Sequence, residues 1–185
     1  RARDYPGGCS RAQGHSVQGL PSVGYHVDDF SSATVLSSRV GAGMSSRLFQ
    51  EIRENRGLVY SIYAFNAFYA DCGMLSVYAG TGPEMVAELM PAIASEIRRL
   101  PETLEQGEFV RSRNLRNASL LMGLESTSSR FEQMAQQLLI FDRVVPLEEQ
   151  IAKIDGVDID AVRRVAEKIF AGKPTLAAVG PLAGL

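Results

Sequence analysis

LVYSIYAFNAFYADCGMLSVYAGT, residues 58–81, decides the fold. Residues 58–70 are rich in aromatic and β-branched side chains, 73–81 repeat that character, and Asp71-Cys72-Gly73 supplies a short turn between them. The pattern predicts a β-hairpin. In the returning strand Leu75, Val77 and Ala79 share one face, while Met74, Ser76 and Tyr78 share the other. The outgoing strand is apolar on both faces, with Leu58, Tyr60 and Ile62 on one and Val59, Tyr63 and Phe65 on the other. Where helices cover only one face of such a sheet, the second is expected to meet a partner or enclose a cavity.

Upstream, residues 1–14 are polar and Gly-rich and read as a linker or hinge, leaving 15–185 as a single domain. Residues 16–25 suit a strand. Residues 28–40 suit a helix capped by Asp28 or Asp29. A second helix is expected over SSRLFQEIREN (45–55), with Leu48, Phe49 and Ile52 as its apolar stripe and Ser45 or Ser46 as its cap. Gly57 stands where a helix end needs a left-handed residue. Downstream, Pro83 opens a long helix whose Val86, Leu89, Met90, Ile93, Ile97 and Leu100 follow the 3.6-residue period. Thr103 and Gln106 suggest a capping box for a helix through Leu121. GLESTSSR interrupts it, FEQMAQQLLIF resumes it, Asp158 caps a last helix, and TLAAVG (175–180) is a final strand. The order β-α-α-β-β-α-α-α-α-β lacks βαβ alternation. It predicts an α+β domain, a mainly antiparallel sheet with helices packed on one face.

A chain of 185 residues is long enough for one domain with its own core. Apolar residues make up 45% and charged residues 22%, the profile of a soluble globular protein. No apolar run approaches the roughly 20 residues that span a bilayer, so no membrane partner is expected. The net charge of −2 lacks the basic footprint of a nucleic-acid binder. The opening RARDYPGG has neither an initiator Met nor a signal-peptide pattern and reads as the middle of a longer polypeptide. Cys9 and Cys72 are too few for a disulfide framework, and a reducing, cytoplasmic location fits.

Most chemical motifs read as structural. Gly41-Ala42-Gly43 precedes a helix but follows another helix, not a strand, and lacks the Gly-Lys-Ser/Thr of a phosphate loop. His15 and His26 have no partner histidine at metal-ligand spacing, and HVDD (26–29) offers only His26 and Asp29. No self-contained zinc site follows from them. Arg111, Arg113 and Arg116 read as a solvated helix face, and STSSR (126–130) as a helix cap. Arg53 and Tyr60 remain. A sharp turn at Gly57 could bring the guanidinium and the phenol together as two donors to a developing oxyanion. A structural contact tying helix to strand is the other reading, and on the residues alone both stand.

GAGMSSRLFQEIRENRGLVYSIYAF, CGMLSVYAGT, LESTSSRFEQMAQQLLIFDRVVPLEEQIAKIDGVDIDAVRRVAEKIF and PTLAAVGPL together resemble the C-terminal half of M16-family zinc peptidases. This is the pitrilysin and insulinase clan, and the likeness to bacterial homologues of the mitochondrial processing peptidase is strong. It runs from about Val40 to Leu182. The resemblance implies the LuxS/MPP-like metallohydrolase fold, in two homologous halves that close around a proteolytic chamber. The N-terminal half carries the zinc motif, and the C-terminal half has none, so no cofactor is expected in this chain. By motif, the arginine and tyrosine that the family's C-terminal half lends to the active site fall on Arg53 and Tyr60. There they would hold the substrate carbonyl beside the zinc site of the other half. In the non-catalytic mitochondrial subunit a long glycine-rich loop touches substrate. Only Gly41 and Gly43 remain as its counterparts here.

The reading expected from these residues is the non-catalytic half of a zinc metalloendopeptidase, inactive alone. Its expected partners are a zinc-binding N-terminal M16 half or subunit, a peptide substrate, and a second copy of the chain as a homodimer. An inactive, core-type subunit scaffolding a larger assembly is the alternative. A nucleotide-binding module would rest on the glycine loop alone.

Overall fold

The computed structural model describes residues 13–180, so most of the segment read as a linker lies outside the described residues. The elements follow as β1 (Gly14–Ser22), α1 (Phe30–Gly41), a π-helical segment (Phe49–Asn55), β2 (Ser61–Phe68), β3 (Gly73–Thr81) and a 3₁₀ turn (Pro83–Met85). Then come α2 (Val86–Thr103), α3 (Gln106–Gly123), α4 (Thr127–Phe141), α5 (Leu147–Asp155), α6 (Ile159–Phe170) and β4 (Thr175–Val179). The strands form one sheet in the order β2-β3-β1-β4, and every pair is antiparallel.

The expected hairpin forms, with Tyr63 opposite Tyr78 and Ala64 opposite Val77. β1 then adds to the far side of β3, so that Gln18 faces Val77 and Leu20 faces Leu75. One face of the sheet carries Ile62, Ala64, Leu75, Val77 and Ala79, all buried beneath α1, α2 and α6. Leu36 and Val40 from α1, Leu89 and Ile93 from α2, and Val165 and Ile169 from α6 complete that core. The opposite face leaves Tyr63, Phe65, Met74 and Val179 exposed. This is the α+β architecture that the order of elements predicts.

Five local expectations are corrected. Asp29 stands at the start of α1 but makes no side-chain cap, and Ser46 Oγ is buried without a partner. The box opening α3 is Glu105 with Glu108, because the Thr103 hydroxyl instead donates to Arg99 O at 2.8 Å. Residues 49–55 coil as a π-helix where an ordinary helix is expected. α5 is an additional helix. Ser126 and Asp158 do cap α4 and α6, accepting from Ser129 N at 3.3 Å and Ala161 N at 2.6 Å.

α1 reaches β2 through Gly41. A Cβ at that position would overlap the backbone nitrogen and Cβ of Ala64, so the helix can lie this close only without a side chain. Gly41→Ala is expected to lower stability by about 1–3 kcal/mol, the usual range for overpacking a filled core. Urea unfolding measures it. An unchanged midpoint would mean that α1 and β2 have slack between them.

Candidate functional site

The loop leaving α1 is short. Ala42 is extended at φ −97°, whereas Gly43 at φ +76° takes the left-handed conformation that favours glycine. Gly43 and Met44 are exposed, in contrast to the buried Gly41. Arg39 anchors the loop from inside. It pairs with Glu108 of α3 and donates to Ser45 O at 3.2 Å. Burial holds its pKa below the ordinary arginine value, against the opposing pull of Glu108.

The π-helical segment follows, with Leu48 and Ile52 buried in the core and Phe49 packed against it. It ends on Gly57 at φ +64°. Gly57 N–H donates to Arg53 O at 3.1 Å and Leu58 N–H to Ile52 O at 3.0 Å, a left-handed end that reverses the chain towards β2. The exit is pinned in turn. Thr81 Oγ1 donates to Leu58 O at 2.6 Å, and Tyr60 N–H donates to Gly80 O at 2.9 Å.

A buried carboxylate grips both ends of this segment. Glu96 of α2 is only 2% exposed. Arg47 Nε donates to its Oε2 at 3.1 Å, and Arg47 Nη2 donates to Thr103 Oγ1 at 2.8 Å. From the other end Arg56 approaches Glu96 Oε1 at 3.8 Å, with Arg99 at 3.7 Å. Arg53, between the two tethered arginines, behaves differently. Its guanidinium lies 4.7 Å from the centroid of the Phe49 ring, its side chain is exposed, and it has no ion pair among the described residues. Tyr60 stands one residue before the first paired residue of β2 and is 59% exposed. No hydrogen bond joins Arg53 to Tyr60 among the described residues. Each reaches solvent separately, near the reversal at Gly57.

Beside them lies the open sheet face. Tyr63 stacks on Tyr78 with centroids 4.7 Å apart, and the Tyr78 hydroxyl lies 2.8 Å from His15 Nδ1. Sequence reasoning gave His15 no role, because its neighbour across the β1–β3 ladder is 63 positions away. Among the described residues no group of three or more His, Cys, Asp or Glu side chains could hold a metal ion. None of the described helices is long and apolar enough to cross a membrane.

These features define an α+β domain with no metal-ligand cluster among its described residues. The family model of the peptidase M16 inactive domain matches residues 9–116, and the chain belongs to the M16 family as its inactive, C-terminal half. It is 34% identical to an uncharacterized zinc protease of Streptomyces coelicolor, over 95% of this chain and 38% of the relative. It is 31% identical to YmxG, an uncharacterized zinc protease of Bacillus subtilis, over 91% and 42%. The chain thus spans about two-fifths of the length of these relatives. Among solved structures, a protease from Helicobacter pylori superposes with TM-score 0.81 at 21% identity, covering 92% of this chain and 42% of that one. A chain of complex III from Candida albicans superposes with TM-score 0.84 at 16% identity, covering 94% and 44%. These last two likenesses establish the fold alone.

The Glu96 clamp makes a direct prediction. Removing one partner of a buried ion pair typically costs about 3–5 kcal/mol. Glu96→Ala should fall at the lower end of that range, since Arg56 and Arg99 are exposed enough to turn to water. Denaturant unfolding reads the loss. A change below about 1 kcal/mol, the level of a surface ion pair, would refute the clamp.

Proposed function

We propose that this chain is the non-catalytic half of a zinc metalloendopeptidase. It closes the proteolytic chamber against a zinc-binding half and offers Arg53 and Tyr60 to the carbonyl of the peptide being cut. The observation that carries the reading is the contrast within one short segment. Arg47 and Arg56 are both drawn to Glu96, while Arg53 between them is left without an anion. A guanidinium and a phenol at the surface, on a segment tethered at both ends, suit donors preorganised for charge that develops only in the transition state. π-Helical turns recur at functional sites, and one carries Arg53 here. In this reading the zinc is held by the other half, which accords with relatives named zinc proteases that are more than twice the length of this chain. Gly43, exposed beside Met44, is the part of the glycine pair free to touch substrate, whereas Gly41 serves packing.

An inactive core-type subunit is the second reading. It is favoured by the aromatic open face of the sheet, a surface suited to permanent assembly. The superposition on a complex III chain is compatible with it.

Mutation separates the two. In an enzyme assembled from both halves, Arg53→Ala and Tyr60→Phe should each lower turnover by about 10²–10³-fold, the usual loss for one oxyanion-type donor. Stability should change little, because Arg53→Ala gives up only an exposed cation–π contact of about 0.5–1 kcal/mol. A fluorogenic peptide assay beside thermal unfolding reads both quantities. Unchanged turnover with a lowered melting temperature would make the pair structural.

Metal analysis provides a separate check. The purified chain should hold no stoichiometric zinc at neutral pH and hydrolyse no peptide. One tightly bound zinc per chain would overturn the assignment of the metal to the other half.

A further inference from the structure

An open-sided cavity of about 1010 Å³ lies on the helical side of the sheet, lined by residues 25–29, α1, the end of β2, α3, α4, α5 and α6. α4 presents a mixed face to it. Gln133, Gln136 and Gln137 line the cavity together with Ile140 and Phe141, while Phe131, Met134, Leu138 and Leu139 of the same helix are exposed. Amide side chains therefore face a space where a helix of this composition would ordinarily bury its apolar stripe.

Arg116 of α3 is the unpaired cation in this cavity. Its side chain is half-buried and its Nε is buried without a hydrogen bond. No ion pair or hydrogen bond reaches it among the described residues. Arginine does not shed its charge in response, although burial does lower its pKa from the ordinary value. Asp29, Lys153 and Arg164 in the lining have partners, whereas Asp28 has none among the described residues. Asp29 lies 3.7 Å from Lys168 and 4.0 Å from Arg164, and Lys153 lies 3.1 Å from Glu149. Asp28 stands at the exposed mouth. A second unmet group lies on β2. Asn66 donates Nδ2 to Ala33 O at 2.9 Å, which leaves its Oδ1 buried with no donor. The far wall is aromatic, where Phe30 packs on Phe68 at 4.6 Å and Tyr25 lies 6.1 Å from Phe141.

We propose that this cavity binds the free C-terminal end of a peptide, with its carboxylate held by Arg116. The unmet groups call for one anion and one N–H donor, and a C-terminal residue carries both. The glutamine amides complement peptide groups, since each offers a donor and an acceptor. An apolar final side chain would be received by the aromatic wall. One cation favours a monoanionic carboxylate over a doubly charged phosphate, and the volume is at the upper end for small-ligand sites. The site is independent of Arg53 and Tyr60 and would stand if that assignment failed.

The test titrates the chain with N-acetyl-Ala-Ala-Leu by calorimetry. The same peptide ending in a carboxamide, and dodecanoate as a carboxylate without peptide groups, are the comparisons. Hydrogen bonds to a charged group are stronger than neutral ones. The free acid should therefore bind about 10- to 100-fold tighter than the carboxamide, and Arg116→Gln should erase that difference. Dodecanoate should bind at least about tenfold more weakly than the peptide acid if Asn66 and the glutamines contribute. The melting temperature of Arg116→Gln should not fall, because the half-buried Arg116 side chain makes no ion pair or hydrogen bond among the described residues for the variant to lose. No binding of the acid, equal binding of acid and carboxamide, or equal binding by the variant would each overturn the proposal. Dodecanoate binding as tightly as the peptide would overturn its peptide part. The acid–carboxamide comparison needs no variant, so it decides even if Arg116→Gln fails to fold.

Discussion

Glu96 is the constraint on which the exposed end of this domain depends. A carboxylate at that depth is tolerable only with close, hydrogen-bonded cations around it. Arg47 meets that need directly, and Arg56 and Arg99 surround it with further charge. The pairing has a mechanical consequence. Arg47 and Arg56 flank the π-helical segment, so neutralising one buried charge on α2 also fixes the ends of that segment against the helical layer. Neutral side chains of similar volume would pack as well, without fixing the ends in the same way. Arg53 is then held out by a segment anchored on both sides, and little conformational freedom remains to be lost when it meets an anion.

The turn after the segment extends the same logic into the sheet. Gly57 can adopt a left-handed conformation without strain, and the backbone bonds to Ile52 and Arg53 close the helix end there. Thr81 and Gly80 fasten the next residues to β3, the central partner in the hairpin. Tyr60 thus has a fixed backbone and an exposed ring. Where Gly41 approaches Ala64, α1 lies against β2, so the same strand is braced from the helical side. The outer face of that strand keeps Tyr63 and Phe65 exposed. The segment, the hairpin and the open face therefore form one rigid edge.

Much of this was legible in the sequence, for physical reasons. The bounds of β3 are legible because Gly73 and Gly82-Pro83 punctuate it. The π-helical coiling was not legible, since its stripe of Leu48, Phe49 and Ile52 reads as an ordinary helix. The capping box was misplaced by two residues because Thr103-x-x-Gln106 and Glu105-x-x-Glu108 overlap. Only the tertiary structure shows the Thr103 hydroxyl engaged by Arg99 and Arg47. α5 carries Leu147, Ile151 and Ile154 at helical spacing, but Pro146 and Gly156 leave it too short to stand out by periodicity. At the candidate site, Arg53 and Tyr60 could be named from their motif, whereas the two tethered arginines could not. Their partner lies 40 or more positions away in α2.

Arg116 shows where local reading fails most clearly. Arg111, Arg113 and Arg116 fall within two turns of α3 and share a composition that suggests a wet face. They have different fates because the neighbours differ. Arg111 is exposed, and Arg113 lies over Phe109 and donates to Asp155 O at 3.2 Å. Arg116 turns into a cavity whose opposite wall is the amide face of α4. No local pattern announces that orientation, because an amphipathic helix has the same period whichever side faces inward. The choice is made by what surrounds the helix. Gln137 donates no apolar surface to a core, but its Oε1 accepts from Val145 N at 2.8 Å, and Gln133 reaches Gln150 at 3.1 Å. Those two bonds tie the amide face of α4 to the segment leading into α5. They hold that face inward and leave Phe131, Met134, Leu138 and Leu139 on the outside.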